Sequence, residues 1–143
     1  MEFEGQVWKD GKFWLIEVPA LNVMTQGMTK KEALYMVQDA VLGLIECYFK
    51  SEMSQDFSLT VRDYGEGLIG IAANDTKLLL ALSLRRQREK SGSTVREASE
   101  RLGSKSPNAY AQYEKGRTSI SLDKYEALLM AANPFEERRL RVS

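Results

Sequence analysis

Two side-chain amides in the C-terminal part of the chain, Asn108 and Gln112, have the chemistry to identify a base in duplex DNA. A carboxamide both donates and accepts hydrogen bonds, so it can pair bidentately with adenine in the major groove. Three cations flank the amides along the chain, Lys105, Lys115 and Arg117. The major groove admits an α-helix or a two-stranded ribbon. The surrounding residues should therefore form one of these elements.

A pair of short helices is predicted around these residues. Thr94 and Glu97 have capping-box spacing, and a glycine that follows closes a helix over 94–102. A serine followed by Pro107 is a favoured cap and first helical residue, which predicts a second helix over 107–115 with another glycine after it. The sequence therefore predicts a helix-turn-helix motif.

Two short helices cannot bury their apolar faces alone, so the segments on either side should pack on them. The spacing of apolar residues predicts helices over 77–90 and 121–133, the second ended by Pro134. The expected core consists of Leu82, Ala98, Leu102, Tyr110, Tyr113, Leu122, Tyr125, Leu128 and Leu129. Together the four segments predict an all-α C-terminal domain.

These residues resemble the Cro/C1 type of repressor, also called the Xre family. The resemblance lies in Leu84-Arg-Arg-Gln-Arg88, in 94–103 and in Tyr113-Glu-Lys-Gly116. It implies that the second helix of the motif faces base edges in the major groove, with phosphate contacts at its ends. The DNA-binding residues that it implies are Thr94, Lys105, Ser106, Pro107, Asn108, Gln112, Lys115 and Arg117, of which Pro107, Asn108 and Gln112 face the bases.

The chain departs from that family in three places. The turn 103–105 is one residue longer, Ser93 replaces an apolar residue and Val95 replaces a glutamine. The register of base reading therefore depends on the geometry of the turn. The alternative interpretation is a four-helix bundle that binds protein and not DNA.

Composition predicts a cytoplasmic protein without a cofactor. The 143 residues include one cysteine, Cys47, and no histidine, which excludes an internal disulfide and removes the commonest metal ligand. No apolar run reaches transmembrane length, and the start Met1-Glu-Phe-Glu is no signal peptide. We therefore expect no enzyme activity, no metal site and no membrane partner.

The formal net charge of zero is divided unevenly along the chain. Residues 1–74 hold six basic against eleven acidic residues, and residues 75–143 hold fourteen against nine. This division favours two domains over those ranges, a basic helix-turn-helix domain with a polyanionic partner and an acidic N-terminal domain with a basic partner. An ordinary solvated surface is the alternative for charges of this size.

The first eighteen residues predict a β-hairpin. Asp10-Gly11 separates two strand-like runs, 3–9 and 12–18, and this dipeptide is a strong hairpin signal. If it forms the turn, Glu4 lies opposite Glu17. Alternation assigns Phe3, Val7, Trp14, Ile16 and Val18 to a core face and Glu2, Glu4, Gln6, Trp8, Phe13, Leu15 and Glu17 to the opposite face.

A helix and two more strands follow the hairpin. Thr29 and Glu32 have capping-box spacing before a helical apolar repeat. The alternating run 57–62 and the apolar run 68–73, separated by a glycine turn, predict two strands. The fold class is therefore α+β, with an N-terminal ββαββ sheet covered by one helix and an all-α domain after it.

One helix covers only one face of such a sheet, so the opposite face of the hairpin should lie exposed. There Trp8, Phe13 and Leu15 stand among Glu4 and Glu17. Exposed apolar groups in an acidic frame indicate a partner surface, and a basic partner would relieve the repulsion of the paired carboxylates. Packing of the second domain onto this face is the alternative.

The segment after the hairpin resembles the HicB family of antitoxins. The shared residues are Val18-Pro19, Thr25-Gln26-Gly27, Thr29 and Glu32-Ala33. The family's acidic residue after the proline is Ala20 here, and its Pro-Gly is Leu21-Asn22. The resemblance covers roughly residues 3–50 and implies a partial RNase H-like domain that binds HicA, a small mRNA-cleaving toxin. It also implies a C-terminal DNA-binding domain, which the second half predicts independently.

The residues and the resemblances together predict a type II antitoxin that binds a HicA-like toxin and represses its own operon. A two-fold operator requires a homodimer or a higher oligomer, because one recognition helix reads one half-site. The expected toxin-binding residues are Glu4, Trp8, Phe13, Leu15 and Glu17. One alternative is a ligand-responsive repressor without a toxin. The other is an RNase H-like nuclease in which Glu2, Glu4 and Glu17 hold metal ions.

Overall fold

A five-stranded antiparallel sheet precedes a group of helices in this computed structural model, which describes residues 1–136. The strands are β1 (Phe3–Asp10), β2 (Phe13–Val18), β3 (Val23–Gly27), β4 (Leu59–Gly65) and β5 (Leu68–Ala73). The helices are α1 (Lys30–Phe49), α2 (Thr76–Ser91), α3 (Val95–Arg101) and α4 (Leu122–Ala132), with 3₁₀ turns at Pro19–Leu21 and Ala111–Lys115. The predicted α+β class is confirmed. The last seven residues of the predicted C-terminal domain, 137–143, lie outside the described part.

The sheet contains one strand more than predicted before α1. Its order is β3-β2-β1-β5-β4, and β3 pairs with β2 along its whole length. Only Val23 and Gly27 of β3 are buried. A five-residue strand with a single large apolar residue on its inner face gives little alternation signal, so the ββαββ order was wrong by this one edge strand.

The hairpin turn lies one residue later than predicted. Asp10 pairs with Phe13, which leaves Gly11 and Lys12 as the two turn residues. Of these two, only Gly11 has a positive φ, +62°. This matches the type II′ hairpin turn, which places glycine at its first central position. Asp10 therefore remains in the ladder instead of entering the turn.

The later turn changes the cross-strand partners of the acidic residues. Glu17 pairs with Gln6 and Met24, and Glu4 pairs with Gly70 of β5. The predicted pairing of Glu4 with Glu17 was therefore wrong. Each pairing moved by two residues, and because side chains alternate with a period of two, the two faces kept their predicted members.

The inner face of the sheet and α1 form the first part of the core. Thr29 caps α1 as predicted, with its Oγ1 accepting from the Glu32 N–H at 3.0 Å. Buried apolar residues of the two layers are Phe3, Val7, Ile16, Val18, Ile69 and Ile71 from the strands and Ala33, Val37, Val41, Ile45 and Phe49 from α1. The helix therefore covers one face only.

Helix α2 joins the helix-turn-helix segment to the side of the sheet that α1 covers. Residues 78–84 are all buried, which is the pattern of a helix enclosed on every side. Arg86 Nε donates to Leu21 O at 3.0 Å, and Gln87 Nε2 donates to Pro19 O at 2.8 Å. The expected boundary after residue 74 falls between β5 and α2, and buried side chains from both sides of it form one apolar cluster.

The predicted core of the helical part is largely in place. Ala98, Tyr110, Tyr125 and Leu128 are fully or almost fully buried, and the rings of Tyr125 and Phe3 lie 6.4 Å apart. The predicted burial of Leu122 was wrong, because this residue is 54% exposed at the start of α4. Ser121 caps that helix, which turns Leu122 outward and Tyr125 inward.

Candidate nucleic-acid interface

The start of α3 is closed by the predicted capping box. Thr94 Oγ1 accepts from the Glu97 N–H at 3.1 Å, and the Thr94 N–H donates to Glu97 Oε1 at 3.0 Å. The backbone hydrogen bond from Thr94 holds the pKa of Glu97 below its usual value. The Thr94 amide is thus already occupied, so its hydroxyl proton is the donor that it can offer to a phosphate.

The recognition segment, residues 107–115, is not the regular α-helix that was predicted. Residues 107–110 form successive turns, and the 3₁₀ helix Ala111–Lys115 follows. The Tyr113 N–H donates to Tyr110 O at 3.0 Å, three residues back. This tighter winding changes which side chains share a face, because 3₁₀ turns repeat every three residues.

The buried hydroxyl of Ser99 explains the irregular start of the segment. Ser99 Oγ donates to Pro107 O at 2.9 Å and accepts from the Tyr110 N–H at 3.2 Å. In an α-helix these two backbone groups would bond to Ala111 and Ser106 instead. A side chain of α3 therefore replaces two hydrogen bonds of the helical ladder and fixes the recognition segment on α3.

The recognition segment is also tied to α2 by a nearly buried ion pair. Arg88 donates to both carboxylate oxygens of Glu114, at 2.7 and 3.0 Å, and the two side chains are only 16% and 10% exposed. The hydrogen bond to Glu114 raises the pKa of Arg88. Beneath this pair, burial raises the pKa of Tyr110, whose hydroxyl donates to Leu84 O at 3.3 Å. The segment therefore has a fixed position relative to both neighbouring helices.

All three predicted base-reading residues are exposed on the recognition segment. Asn108 lies in the turns, with its N–H donating to Ser106 Oγ at 3.2 Å. Gln112 lies in the 3₁₀ helix, and its amide donates a long hydrogen bond of 3.4 Å to Ala109 O. Pro107 is the first residue of the segment. The fold therefore presents both carboxamides to solvent on a short, anchored element.

The predicted phosphate contacts surround this element. Lys105 precedes the segment, Lys115 ends it, and both are exposed. Arg117 is exposed as well, but its Nε donates to Glu52 Oε1 at 3.0 Å. No sequence pattern indicated Glu52, which follows α1 and lies 65 residues away along the chain.

A second exposed surface is the outer face of the sheet, which neither α1 nor α2 covers. Trp8 lies opposite Leu15, and the side chain of Trp8 is 36% exposed. Phe13, Glu4 and Glu17 stand on the same face, as predicted. The helix-turn-helix segment packs on the inner side through α2 and Tyr125, so the alternative in which it covers this face was wrong.

The unpredicted strand pairing extends the outer face beyond the hairpin. Met24 of β3 lies beside Glu17 and is 55% exposed, and Tyr64 of β4 is 52% exposed. The Tyr64 hydroxyl donates to Glu2, which also lies 3.8 Å from Arg62. Within residues 1–136 no three acidic, cysteine or histidine side chains are grouped to hold a metal ion, so Glu2, Glu4 and Glu17 do not form the cluster that the nuclease alternative requires.

Comparison with known families identifies the helical part. Residues 84–133, about a third of the chain, match the helix-turn-helix family model. They include α3, the recognition segment and α4. These residues are a helix-turn-helix domain, and the chain is a DNA-binding transcription regulator. No curated protein matches the chain. Among residues 1–136, no helix is long and apolar enough to cross a membrane.

Proposed function

We propose that the chain is a type II antitoxin of the HicB kind, which binds a small HicA-like toxin and represses its own operon through the helix-turn-helix domain. The observation that carries the proposal is the outer face of the sheet. Its apolar centre, Trp8 with Leu15, stands among Glu4 and Glu17, and the helices of residues 1–136 pack on the other side of the sheet. An apolar patch in an acidic frame fits a basic protein.

The charge of the two halves supports this choice of partner. Residues 1–74 carry a formal excess of five negative charges, and the rest of the chain carries the opposite excess. A toxin that cleaves mRNA needs a basic surface to hold phosphates, and an acidic sheet is complementary to it. In this proposal the chain acts in the cytoplasm by binding alone, without a cofactor or catalysis.

The residues that resemble HicB lie at one structural junction. Thr25, Gln26 and Gly27 end β3, and Thr29 caps α1 two residues later. A Cβ at Gly27 would lie 2.6 Å from the backbone N of Ala33, so only glycine lets β3 approach α1 this closely. The motif residues thus set how α1 leaves the sheet, which supports the resemblance.

Repression by this module also requires a homodimer, and α4 provides a surface for one. Leu122, Glu126 and Met130 are spaced four residues apart and face outward, with Leu122 54% and Met130 61% exposed. Residues four apart lie on one side of a helix. We infer that two copies meet along this stripe, so that two recognition segments reach two half-sites.

The test is co-purification of the tagged chain with the products of its neighbouring genes. The expected result is a small basic protein that is bound to the chain and stops growth when expressed alone. Its growth arrest should be relieved by the wild-type chain and not by a Trp8→Ala variant. A clean homodimer that binds its own promoter DNA and has no protein partner would contradict the antitoxin proposal and leave the ligand-responsive repressor.

A further inference from the structure

An ion pair joins the end of α1 to the end of the recognition segment. Arg117 Nε donates to Glu52 Oε1 at 3.0 Å. The two side chains differ in exposure, since that of Arg117 is 67% exposed and that of Glu52 only 15%. A sheltered carboxylate therefore stands directly behind an outward-facing guanidinium that belongs to the DNA-binding domain.

Glu52 is held in place by its own neighbours. Ser51 Oγ donates to its other carboxylate oxygen at 2.9 Å, and the Glu52 N–H donates to Phe49 O at 3.0 Å. The guanidinium of Arg117 lowers the pKa of Glu52, so the carboxylate is charged at neutral pH. The position of this negative charge does not depend on Arg117 alone.

Buried packing holds the end of α1 against the end of the recognition segment. Gly116 has a φ of +73°, and a Cβ there would lie 2.8 Å from Leu78 Cδ2 and 3.3 Å from Phe49 Cδ1. The last residue of α1 thus packs directly against the turn that carries Arg117. Glu52 and Arg117 meet because the backbones are fixed, and not because two long side chains happen to reach each other.

We propose that Glu52 masks Arg117 and sets the DNA affinity of the protein below the level that the helix-turn-helix domain could reach without it. This inference rests on the proposed role of Arg117 as a phosphate contact. A phosphate that meets the guanidinium also meets the carboxylate behind it, and the attraction and the repulsion oppose each other. The N-terminal part of the chain thereby reduces the effective charge of one DNA contact.

The substitution that isolates this effect is Glu52→Gln. Glutamine keeps an oxygen for Arg117 Nε and removes the charge, and the Ser51 hydroxyl can accept from its NH2 group instead of donating to a carboxylate oxygen. A full phosphate contact contributes about 0.9 to the slope of log affinity against log salt. We therefore expect Glu52→Gln to bind about three to ten times more tightly at low salt and to steepen the slope by up to about 0.9. The gain should shrink as salt screens the charges.

The probe is a fluorescein-labelled duplex with the sequence that the wild-type chain selects from a randomised pool. Fluorescence anisotropy of the full-length chain is titrated from about 50 to 300 mM NaCl. The matched control is Asp63→Asn, which removes the same charge from an ion pair with Lys30 at 2.8 Å. Lys30 begins α1 and Glu52 follows its end, about 30 Å away along the helix. Asp63→Asn should leave the affinity unchanged.

The variant Arg117→Ala separates the two ideas that the inference combines. It should weaken binding and flatten the salt slope, and adding Glu52→Gln to it should give a smaller gain than in the wild-type chain, because the phosphate contact that the carboxylate opposes is gone. If Arg117→Ala has these effects but Glu52→Gln does not tighten binding, or if Asp63→Asn tightens it equally, the masking is wrong. If Arg117→Ala changes neither the DNA affinity nor the salt slope, Arg117 makes no phosphate contact. Both that proposed role and the masking by Glu52 are then wrong.

Discussion

The recognition segment and the outer face of the sheet are both exposed, but they are supported in different ways. Side-chain hydrogen bonds from Ser99 and from the Arg88–Glu114 pair fix the recognition segment from below. The outer face stands on backbone ladders, and strand alternation alone decides which side chains it presents. Base edges require donors and acceptors at fixed positions, whereas a docked protein requires apolar area. The recognition segment should therefore be damaged most by substitutions beneath it, and the outer face by substitutions on its surface.

The largest expected effect comes from removing the support of the recognition segment. Arg88→Ala leaves the 10% exposed carboxylate of Glu114 without its partner. Removing one member of a buried pair leaves an uncompensated charge, so we expect a loss of about 3 kcal/mol in the free energy of unfolding, together with the loss of DNA binding. Urea denaturation and anisotropy measure the two effects.

The control for Arg88→Ala is Lys30→Ala in the sheet half. The Lys30–Asp63 pair is as short, at 2.8 Å, but about a third of each side chain is exposed. Loss of this ion pair should lower the free energy of unfolding by at most about 1 kcal/mol and leave DNA binding intact. Equal destabilisation by the two variants would mean that the Arg88–Glu114 pair has no special role in supporting the segment.

Next in size is the effect of removing an apolar side chain from the outer face. Trp8→Ala should weaken binding of the co-purified partner by about 2 kcal/mol or more, roughly thirtyfold, because aromatic residues dominate protein interfaces. Affinity for DNA should not change. Isothermal titration calorimetry measures the first and anisotropy the second. Tyr35→Ala is the control, since Tyr35 is 64% exposed on α1, on the other side of the sheet. A loss of equal size in that variant would place the partner elsewhere.

A smaller effect is expected at the reading surface itself. Gln112→Ala should weaken the free energy of binding to the selected sequence by about 1 to 3 kcal/mol. It should also relax the preference at one base pair. The long bond of Gln112 to Ala109 O shows that its amide is little constrained before binding. Affinities for a panel of single-base variants of the duplex test this. A uniform loss across the panel would exclude Gln112 from base reading.

The stability of the two regions is linked, and Gly43 offers a mild way to test the link. Gly43 is exposed within α1, and a Cβ there would meet nothing within 4 Å. Gly43→Ala should raise the free energy of unfolding by about 0.5 to 1 kcal/mol. Because both regions share one apolar cluster, we expect a single thermal transition that moves upward as a whole. Two transitions, of which only one moves, would indicate separate units.

The smallest effects should appear in the acid range and should arise in both regions. Lys30 lowers the pKa of Asp63 in the sheet, and the Thr94 backbone lowers that of Glu97 in α3. The folded state then binds fewer protons than the unfolded state near the usual values of 3.8 and 4.5. Stability from these groups is complete above those values and is lost as the pH falls from them through the lowered pKa values of the folded state. Urea midpoints against pH should decline less steeply in Asp63→Asn and Glu97→Gln than in the wild-type chain, and an unchanged decline would contradict the assignment.

Features set by neighbouring residues in the chain could be predicted from the sequence. The caps at Thr29 and Thr94 were located correctly, because a cap bonds to an amide only three residues away. The faces of the hairpin were correct for the same reason, since alternation is a local property. Asn108 and Gln112 are exposed, and their role in base reading stays a prediction.

Features set by distant residues could not be predicted in this way. The irregular recognition segment depends on Ser99, which takes backbone bonds that a helix would otherwise use. The partner of Arg117 is 65 residues away, and no spacing rule connects it to Glu52. The hairpin register depended on a choice between two turn classes that both accept glycine. For the recognition segment and the Arg117–Glu52 pair, tertiary contacts selected one of several locally acceptable arrangements.

Because the first half of α2 is enclosed on every side, the helix-turn-helix domain cannot be exchanged as an independent unit. Residues 78–84 are buried, and Arg86 and Gln87 hold the carbonyls of the Pro19–Leu21 turn. A fragment cut before Thr76 would expose this apolar surface and leave those two donors without their acceptors. A chimera with another N-terminal sheet would have to reproduce the same contacts with α2. The sheet and the helix-turn-helix domain therefore form one packed unit, and recombination between relatives should preserve the two halves as a matched set.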